Sequence, residues 1–175
     1  MAQKKQTQSI KKLSAAKIIG AILLVAAAGF FIYNNFFKED KPKMDYYNFT
    51  KEGELSFTDS LGTPKTKIDL EFADNEYERE LGLMKRIEMK ESQGMLFIFP
   101  DEQIRSFWMR NTLISLDMIF INADMQIVTI HKSTTKLSDQ AYPSTKPAMY
   151  VVEVTAGFTD RQKIYVGDKI DWKRN

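Results

Sequence analysis

The chain has 175 residues, of which 43% are hydrophobic, with one histidine and no cysteine. The missing cysteine excludes a disulfide framework, a thiol nucleophile and thiolate metal sites, and His131 alone excludes a zinc site built from several imidazoles. The net charge of +2 is misleading, because five lysines and no acidic residue precede Lys38. The remainder holds 20 basic and 23 acidic residues, a net of −3, which argues against nucleic-acid binding.

The segment from Ile18 to Phe37 is uncharged throughout and follows a basic tail, residues 1–17. Twenty helical residues rise about 30 Å, the thickness of a hydrocarbon core. The segment therefore predicts a single transmembrane anchor, and the lysines ahead of it predict a cytoplasmic N-terminus and an extracytoplasmic domain, periplasmic or at the cell surface. The alternative is a signal peptide that is cleaved after Ala28.

The rest of the chain divides into a polar linker, residues 38–52, and a domain, residues 53–175. Alternating apolar residues predict a half-buried strand over Lys65 to Ala73. A helix capped by Asp74 follows. The continuously apolar run from Gly94 to Phe99 predicts a central strand that is covered on both faces. Further strands are predicted over residues 104–109, 116–121, 126–131, 148–154 and 169–172.

Many short strands and one convincing helix define the predicted fold class. We expect a mainly β domain with one packed helix, a compact and mostly antiparallel barrel or sandwich, preceded by a single transmembrane helix. The pattern does not separate barrel from sandwich.

Three motifs stand in fixed order: Glu80-Leu-Gly-Leu-Met-Lys-Arg86, Gly94-Met-Leu-Phe-Ile-Phe99 and Ser106-Phe-Trp-Met-Arg-Asn-Thr-Leu-Ile-Ser-Leu-Asp117. With the later Met149-Tyr-Val-Val-Glu-Val-Thr-Ala-Gly157, they resemble the domain-of-unknown-function 192 family of bacteria and archaea. The family usually has Lys at position 110 and Pro at position 115, where this chain has Arg110 and Ser115. The resemblance implies a small β-rich domain, often exported or anchored, with no established activity.

The block from Phe107 to Asp117 is the best candidate for a binding surface, because it combines aromatic, cationic, amide and carboxylate groups. Trp108 beside Arg110 suggests a stacking platform with an ion-pairing head, suited to a sugar, a carboxylate or a peptide. The alternative is a core tryptophan with a surface cation lying across it. The predicted ligand-binding residues are Arg79, Trp108, Arg110, Asn111, Asp117 and Glu153.

Two carboxylates interrupt apolar stretches and need partners. For Asp117 the candidates are Arg110, Arg79 or the Asn111 amide, in a structural ion pair. If the carboxyl groups of Asp117 and Glu153 meet in one cleft, they form a general acid and base pair, and the domain is a hydrolase of an envelope polymer.

The favoured hypothesis is a non-catalytic module that binds a small ligand or serves an envelope protein, and a third possibility is a structural module that positions partner proteins. No nucleophile elbow, Walker A motif or dinucleotide loop is present, so no catalytic residue and no cofactor are predicted. Soft-metal binding by Met84, Met89, Met95 and Met109 competes with their use in core packing, which is far more common.

Overall fold

The computed structural model describes residues 15–33 and 48–175, and the chain separates into two compact units, Met1–Met44 and Asp45–Asn175. The first unit contains helix α1 (Ala15–Ile32). The predicted basic tail (1–17) and linker (38–52) lie largely outside the described residues, and the predicted domain boundaries stay a prediction.

The predicted transmembrane anchor is not supported. Helix α1 covers Ile18 to Ile32 of the predicted span, and residues 34–37 of that span lie outside the described residues. Among the described residues, no helix is long and apolar enough to cross a membrane. The predicted location, with a cytoplasmic N-terminus and an extracytoplasmic domain, is therefore wrong.

The second unit is mainly β. Its helices are α2 (Glu76–Leu81) and α3 (Phe158–Arg161). Its strands are β1 (Gly53–Thr58), β2 (Pro64–Ala73), β3 (Gln93–Gln103), β4 (Ser106–Phe107), β5 (Leu116–Ile121), β6 (Ile127–His131), β7 (Tyr142–Pro143), β8 (Ala148–Thr155) and β9 (Lys169–Arg174). In the described part, seven strands form one sheet in the order β6-β5-β8-β3-β2-β1-β9, and β4 pairs with β7 separately.

The large sheet is mixed, because β2 and β3 run parallel while its other pairs are antiparallel. A parallel pair needs a crossover, and helix α2 lies in that connection. The sheet does not close into the barrel that was one of two predicted forms. Gln126, directly before the edge strand β6, forms an isolated bridge with Lys169 of the other edge strand, β9, which leaves most of both edges unpaired within residues 48–175.

Most predicted strands are confirmed, and β3 occupies the central position in the sheet. In β2, Ile68, Leu70 and Phe72 are buried as the alternation predicts. Two details were wrong. Helix α2 is capped by Asn75, whose side chain accepts a hydrogen bond from Glu78 N at 3.0 Å. The strand predicted over residues 104–109 contains only Ser106 and Phe107, because the chain then enters a turn.

The sheet is covered on both faces, which explains its continuous apolar strands. One core cluster includes Leu70, Leu96 and Val152. The other includes Phe97 and side chains of β5 and β8, and its outer layer comes from loops. The candidate site opens on this second face.

Candidate functional site

A narrow cleft lies between the end of helix α2 and the segment that follows β4. Its enclosed space is about 30 Å³, enough for one water molecule or one small polar group. We call it the Glu153 cleft. Its lining residues are Arg79, Glu80, Leu81, Gly82, Leu83, Met84, Phe97, Phe107, Trp108, Thr112 and Glu153.

Glu153 reaches the cleft because of its position in β8. It is paired with Met95 on β3 and with Met118 on β5, so its side chain shares the face of these apolar neighbours. The residue is only 4% exposed, and no described residue forms a hydrogen bond or ion pair with its carboxyl group. Burial raises the pKa of the Glu153 carboxyl to about 8, so the group carries its proton at neutral pH.

Arg79 contributes a cation to the wall of the cleft. Its Nη1 donates hydrogen bonds to the backbone carbonyls of Asp74 (2.5 Å) and Ile98 (3.0 Å), and its guanidinium lies 5.3 Å from the centroid of the Phe99 ring. The guanidinium is thus fixed by backbone carbonyls. An arginine offers five N–H donors, so most of those of Arg79 are left for a ligand.

The Trp108 and Arg110 side chains form the predicted stack. The guanidinium of Arg110 lies 4.3 Å from the centroid of the Trp108 ring, and its Nε donates to Asp139 Oδ1 at 2.7 Å. Trp108 is 45% exposed, so it is not a core residue. It forms an aromatic platform at the rim of the cleft, outside the strand in which it was predicted.

Asn111 connects the two walls of the cleft. Its φ of 56° places it in the left-handed region that asparagine tolerates better than most residues. Its carbonyl accepts a hydrogen bond from Lys85 N at 2.8 Å, and its Nδ2 lies 3.9 Å from Met84 Sδ. Asn111 thus holds the turn after α2 against the loop after β4.

The structure does not bring Asp117 into the cleft. Asp117 is paired with Val154 and faces the opposite side of the sheet from Glu153. None of its predicted partners Arg110, Arg79 and Asn111 contacts it in the described part. Its fully buried carboxylate instead accepts hydrogen bonds from the backbone N–H groups of Ser133, Gly157 and Thr159 and from Thr159 Oγ1, at 2.7 to 3.0 Å. The condition for an acid and base pair with Glu153, two carboxyl groups in one cleft, is not met.

Several lining residues were not predicted from the sequence. Phe97 and Phe107 meet edge to face with centroids 5.0 Å apart and form an aromatic wall. Gly82 ends helix α2 with φ 46° and ψ −132°, a conformation open essentially to glycine alone. A Cβ there would lie 3.1 Å from the Phe97 ring. A glycine near the end of the predicted helix was the sequence signal for this turn.

The four methionines considered for soft-metal binding have different surroundings, and Met84 lines the Glu153 cleft. Met95 and Met109 are buried in the second core cluster, and Met89 packs against it. Among the described residues, no group of three or more histidine, aspartate or glutamate side chains is placed to hold a metal ion.

Residues 58–172 match the model of the DUF192 family, described as Uncharacterized ACR, and this match covers most of the chain. The chain belongs to this family. The resemblance predicted from the motifs is therefore confirmed. Membership establishes no biochemical activity, because the family is uncharacterised.

Archaeal relatives of this DUF192 chain include two UPF0127 proteins. The Pyrococcus furiosus protein is 31% identical over 113 residues, which cover 62% of this chain and 90% of the relative. The Pyrococcus abyssi protein is 33% identical over 108 residues, which cover 59% and 85%.

Two crystal structures resemble the DUF192 chain. A Sinorhizobium meliloti protein, named as a candidate transcription regulator, has a TM-score of 0.67 and 32% identity, with 71% of this chain and 97% of that chain covered. A Novosphingobium aromaticivorans protein of unknown function has a TM-score of 0.64 and 31% identity, with 68% and 84% covered.

Proposed function

We propose that the domain is a non-catalytic binding module, and that the Glu153 cleft receives one small polar group of its ligand. The observation that carries the proposal is the Glu153 carboxyl, which is buried, lines the cleft and has no partner in the described part of the chain. The hydrogen-bonding capacity of this carboxyl group is therefore unused by the described residues and open to a ligand in the cleft.

The protonated state of Glu153 favours a particular ligand chemistry. A neutral carboxyl group donates one hydrogen bond and accepts others, so it complements an amide or a hydroxyl group, which do the same. The exposed Trp108 ring provides a flat surface beside the cleft for the apolar face of a sugar or for a peptide side chain. The remaining donors of Arg79 suit a carbonyl or carboxylate oxygen of the same ligand. We therefore favour sugars, acetamido sugars and short peptides.

The test is a binding screen of the full chain, with ligand-observed NMR against monosaccharides, acetamido sugars and dipeptides. A bound compound is then titrated against Trp108→Ala and Glu153→Gln. We expect Trp108→Ala to weaken binding about tenfold, since stacking of this kind contributes about 1 kcal/mol beyond area burial. Tyr165→Ala is the matched control, because Tyr165 is an exposed aromatic residue outside the cleft. Unchanged affinity in both cleft variants would refute the assignment.

One observation favours an enzymatic alternative. A carboxyl group with a pKa of about 8 is suited to donate and recover a proton near neutral pH, as a general acid must. The second carboxylate of such a hydrolase would be Glu80, which also lines the cleft, and not Asp117. Release of products from glycan or peptide pools by the wild type, abolished in both Glu153→Gln and Glu80→Gln, would favour this alternative over binding alone.

A further inference from the structure

A second cavity, separate from the Glu153 cleft, lies between the start of the domain and the loop that precedes β3. Its volume is about 430 Å³, within the range of about 300 to 1,000 Å³ of small-molecule pockets. We call it the Arg86 pocket. Its lining residues are Asn48, Phe49, Arg86, Ile87, Glu88, Met89, Lys90 and Gln93.

Arg86 is a buried cation with unused donors. It is 8% exposed, and its Nη2 lies 2.5 Å from Glu71 Oε2. That contact is an ion pair outside hydrogen-bond geometry, because Glu71 Oε2 has no hydrogen-bond partner within the described ranges. Each of the two terminal nitrogens of a guanidinium carries two N–H donors, and no described residue forms a hydrogen bond with those of Arg86, so a ligand in the pocket finds donors that the protein does not use.

The position of Arg86 is fixed by its partner. Glu71 Oε1 accepts a hydrogen bond from Thr50 N at 2.8 Å, which holds the carboxylate and also ties the segment that carries Asn48 and Phe49 to β2. The Arg86 N–H donates to Leu83 O at 3.3 Å. A cation that is already desolvated and held in place costs less to use for binding than a mobile surface side chain.

The walls of the pocket indicate the rest of the ligand. Phe49, Ile87 and Met89 supply apolar surface, whereas Asn48 and Gln93 supply amide groups. The formal charges balance, since Glu71 offsets Arg86 and Glu88 offsets Lys90. A planar donor fork in a neutral surrounding suits one carboxylate better than a doubly charged phosphate, and the apolar walls suit a short hydrocarbon body.

We propose that the Arg86 pocket binds a small organic monocarboxylate with an apolar body, the carboxylate on the Arg86 fork and the body between Phe49, Ile87 and Met89. This site is independent of the Glu153 cleft and of the function proposed for it.

The test uses the full chain and sodium hexanoate, with hexylammonium chloride and inorganic phosphate as matched probes, by calorimetry and by NMR of backbone amides. Ile87 is 49% exposed, so replacing it alters the pocket wall at little cost to folding. Ile87→Asp replaces the apolar side chain at the pocket wall with a negative charge. Ile87→Lys replaces the same side chain with a positive charge. We expect Ile87→Asp to weaken hexanoate binding about tenfold, the effect of a nearby like charge, and Ile87→Lys to bind more tightly than Ile87→Asp.

Hexanoate should also shift the amide signals of Asn48 and Gln93 in the wild type, a readout that needs no variant. The proposal is overturned if the wild type does not bind hexanoate, if hexylammonium or phosphate binds equally well, or if Ile87→Asp and Ile87→Lys have equal affinities. Loss of hexanoate binding in Trp108→Ala but not in Ile87→Asp would place the carboxylate in the Glu153 cleft. That result would overturn this proposal and leave the function proposed for the cleft standing.

Discussion

Asp117 and Glu153 face opposite sides of the same sheet, although the strands that carry them are neighbours. Val154 is paired with Asp117, and Met118 is paired with Glu153, so the two carboxyl groups are separated by the sheet itself. Both residues are buried, yet Asp117 accepts four hydrogen bonds and Glu153 accepts none from the described residues. The Asp117 carboxylate therefore stabilises the fold, whereas the Glu153 carboxyl group can interact with a ligand in the cleft.

The first prediction concerns the stability cost of Glu153. Because burial raises its pKa to about 8 from an ordinary value of 4.5, the unfolded chain loses this proton between those pH values while the folded chain keeps it. Stability therefore falls as pH rises through this window. Glu153→Gln removes the titration, so we expect the variant to be more stable than the wild type by about 4 to 5 kcal/mol at pH 8.5, and nearly equal to it at pH 4.

Urea unfolding at pH 4, 6 and 8.5 measures this difference directly. Glu76→Gln is the matched control, because Glu76 is exposed on α2 and its replacement should give no pH-dependent gain. A difference between wild type and Glu153→Gln that does not grow with pH would contradict the burial of an unpartnered carboxyl group.

The second prediction concerns Asp117. In Asp117→Asn the amide nitrogen accepts no hydrogen bond, so at least one of the donors from Gly157 and Thr159 loses its partner in a fully buried position. We expect a loss of about 3 kcal/mol in the free energy of unfolding, measured by denaturant titration. Asp139→Asn, which breaks the exposed ion pair with Arg110, should cost no more than about 0.5 kcal/mol. Equal losses in the two variants would contradict the structural role of Asp117.

The sequence predicted those strands whose position is determined by a local pattern of apolar residues. The apolar run in β3 predicted a central strand, and the alternation in β2 predicted its buried face. The parallel pairing of these strands was not predicted, although a strand, a helix and a strand in succession form the unit that favours it. The short β4 was predicted too long, because aromatic alternation does not reveal the turn in which Asn111 adopts positive φ.

Chemical density pointed to residues that share one cleft but did not give their geometry, and the role of that cleft as a binding site stays a prediction. Arg79, Trp108 and Glu153 do line one cleft, with Arg110 stacked on Trp108. The placement of Asp117 depends on the register between β5 and β8. A shift of one residue in register exchanges the faces of a strand, and a single sequence does not fix that register.

The third prediction concerns the turn that shapes the cleft. Gly82→Ala meets two obstacles, a positive φ of 46° and a contact of 3.1 Å between the new Cβ and the buried Phe97 ring. Gly62→Ala is the matched control, since Gly62 also has positive φ but open space around it. We expect each variant to lose about 1 to 2 kcal/mol from backbone strain, and Gly82→Ala to lose about 1 kcal/mol more. Thermal unfolding compares the two, and a smaller loss for Gly82→Ala would argue against the tight packing of this turn on Phe97.

The fourth prediction concerns the buried pair of Arg86 and Glu71. Replacing one partner leaves an uncompensated buried charge, whereas replacing both removes the desolvation cost of both. We expect Arg86→Met alone to lower the free energy of unfolding by about 3 to 5 kcal/mol, and the double variant Arg86→Met with Glu71→Leu to recover at least half of that loss. A double-mutant cycle by urea unfolding at pH 7 gives the coupling energy. Additive losses would show that the two side chains contribute independently, and the account of Arg86 as a cation held in place by Glu71 would then fail.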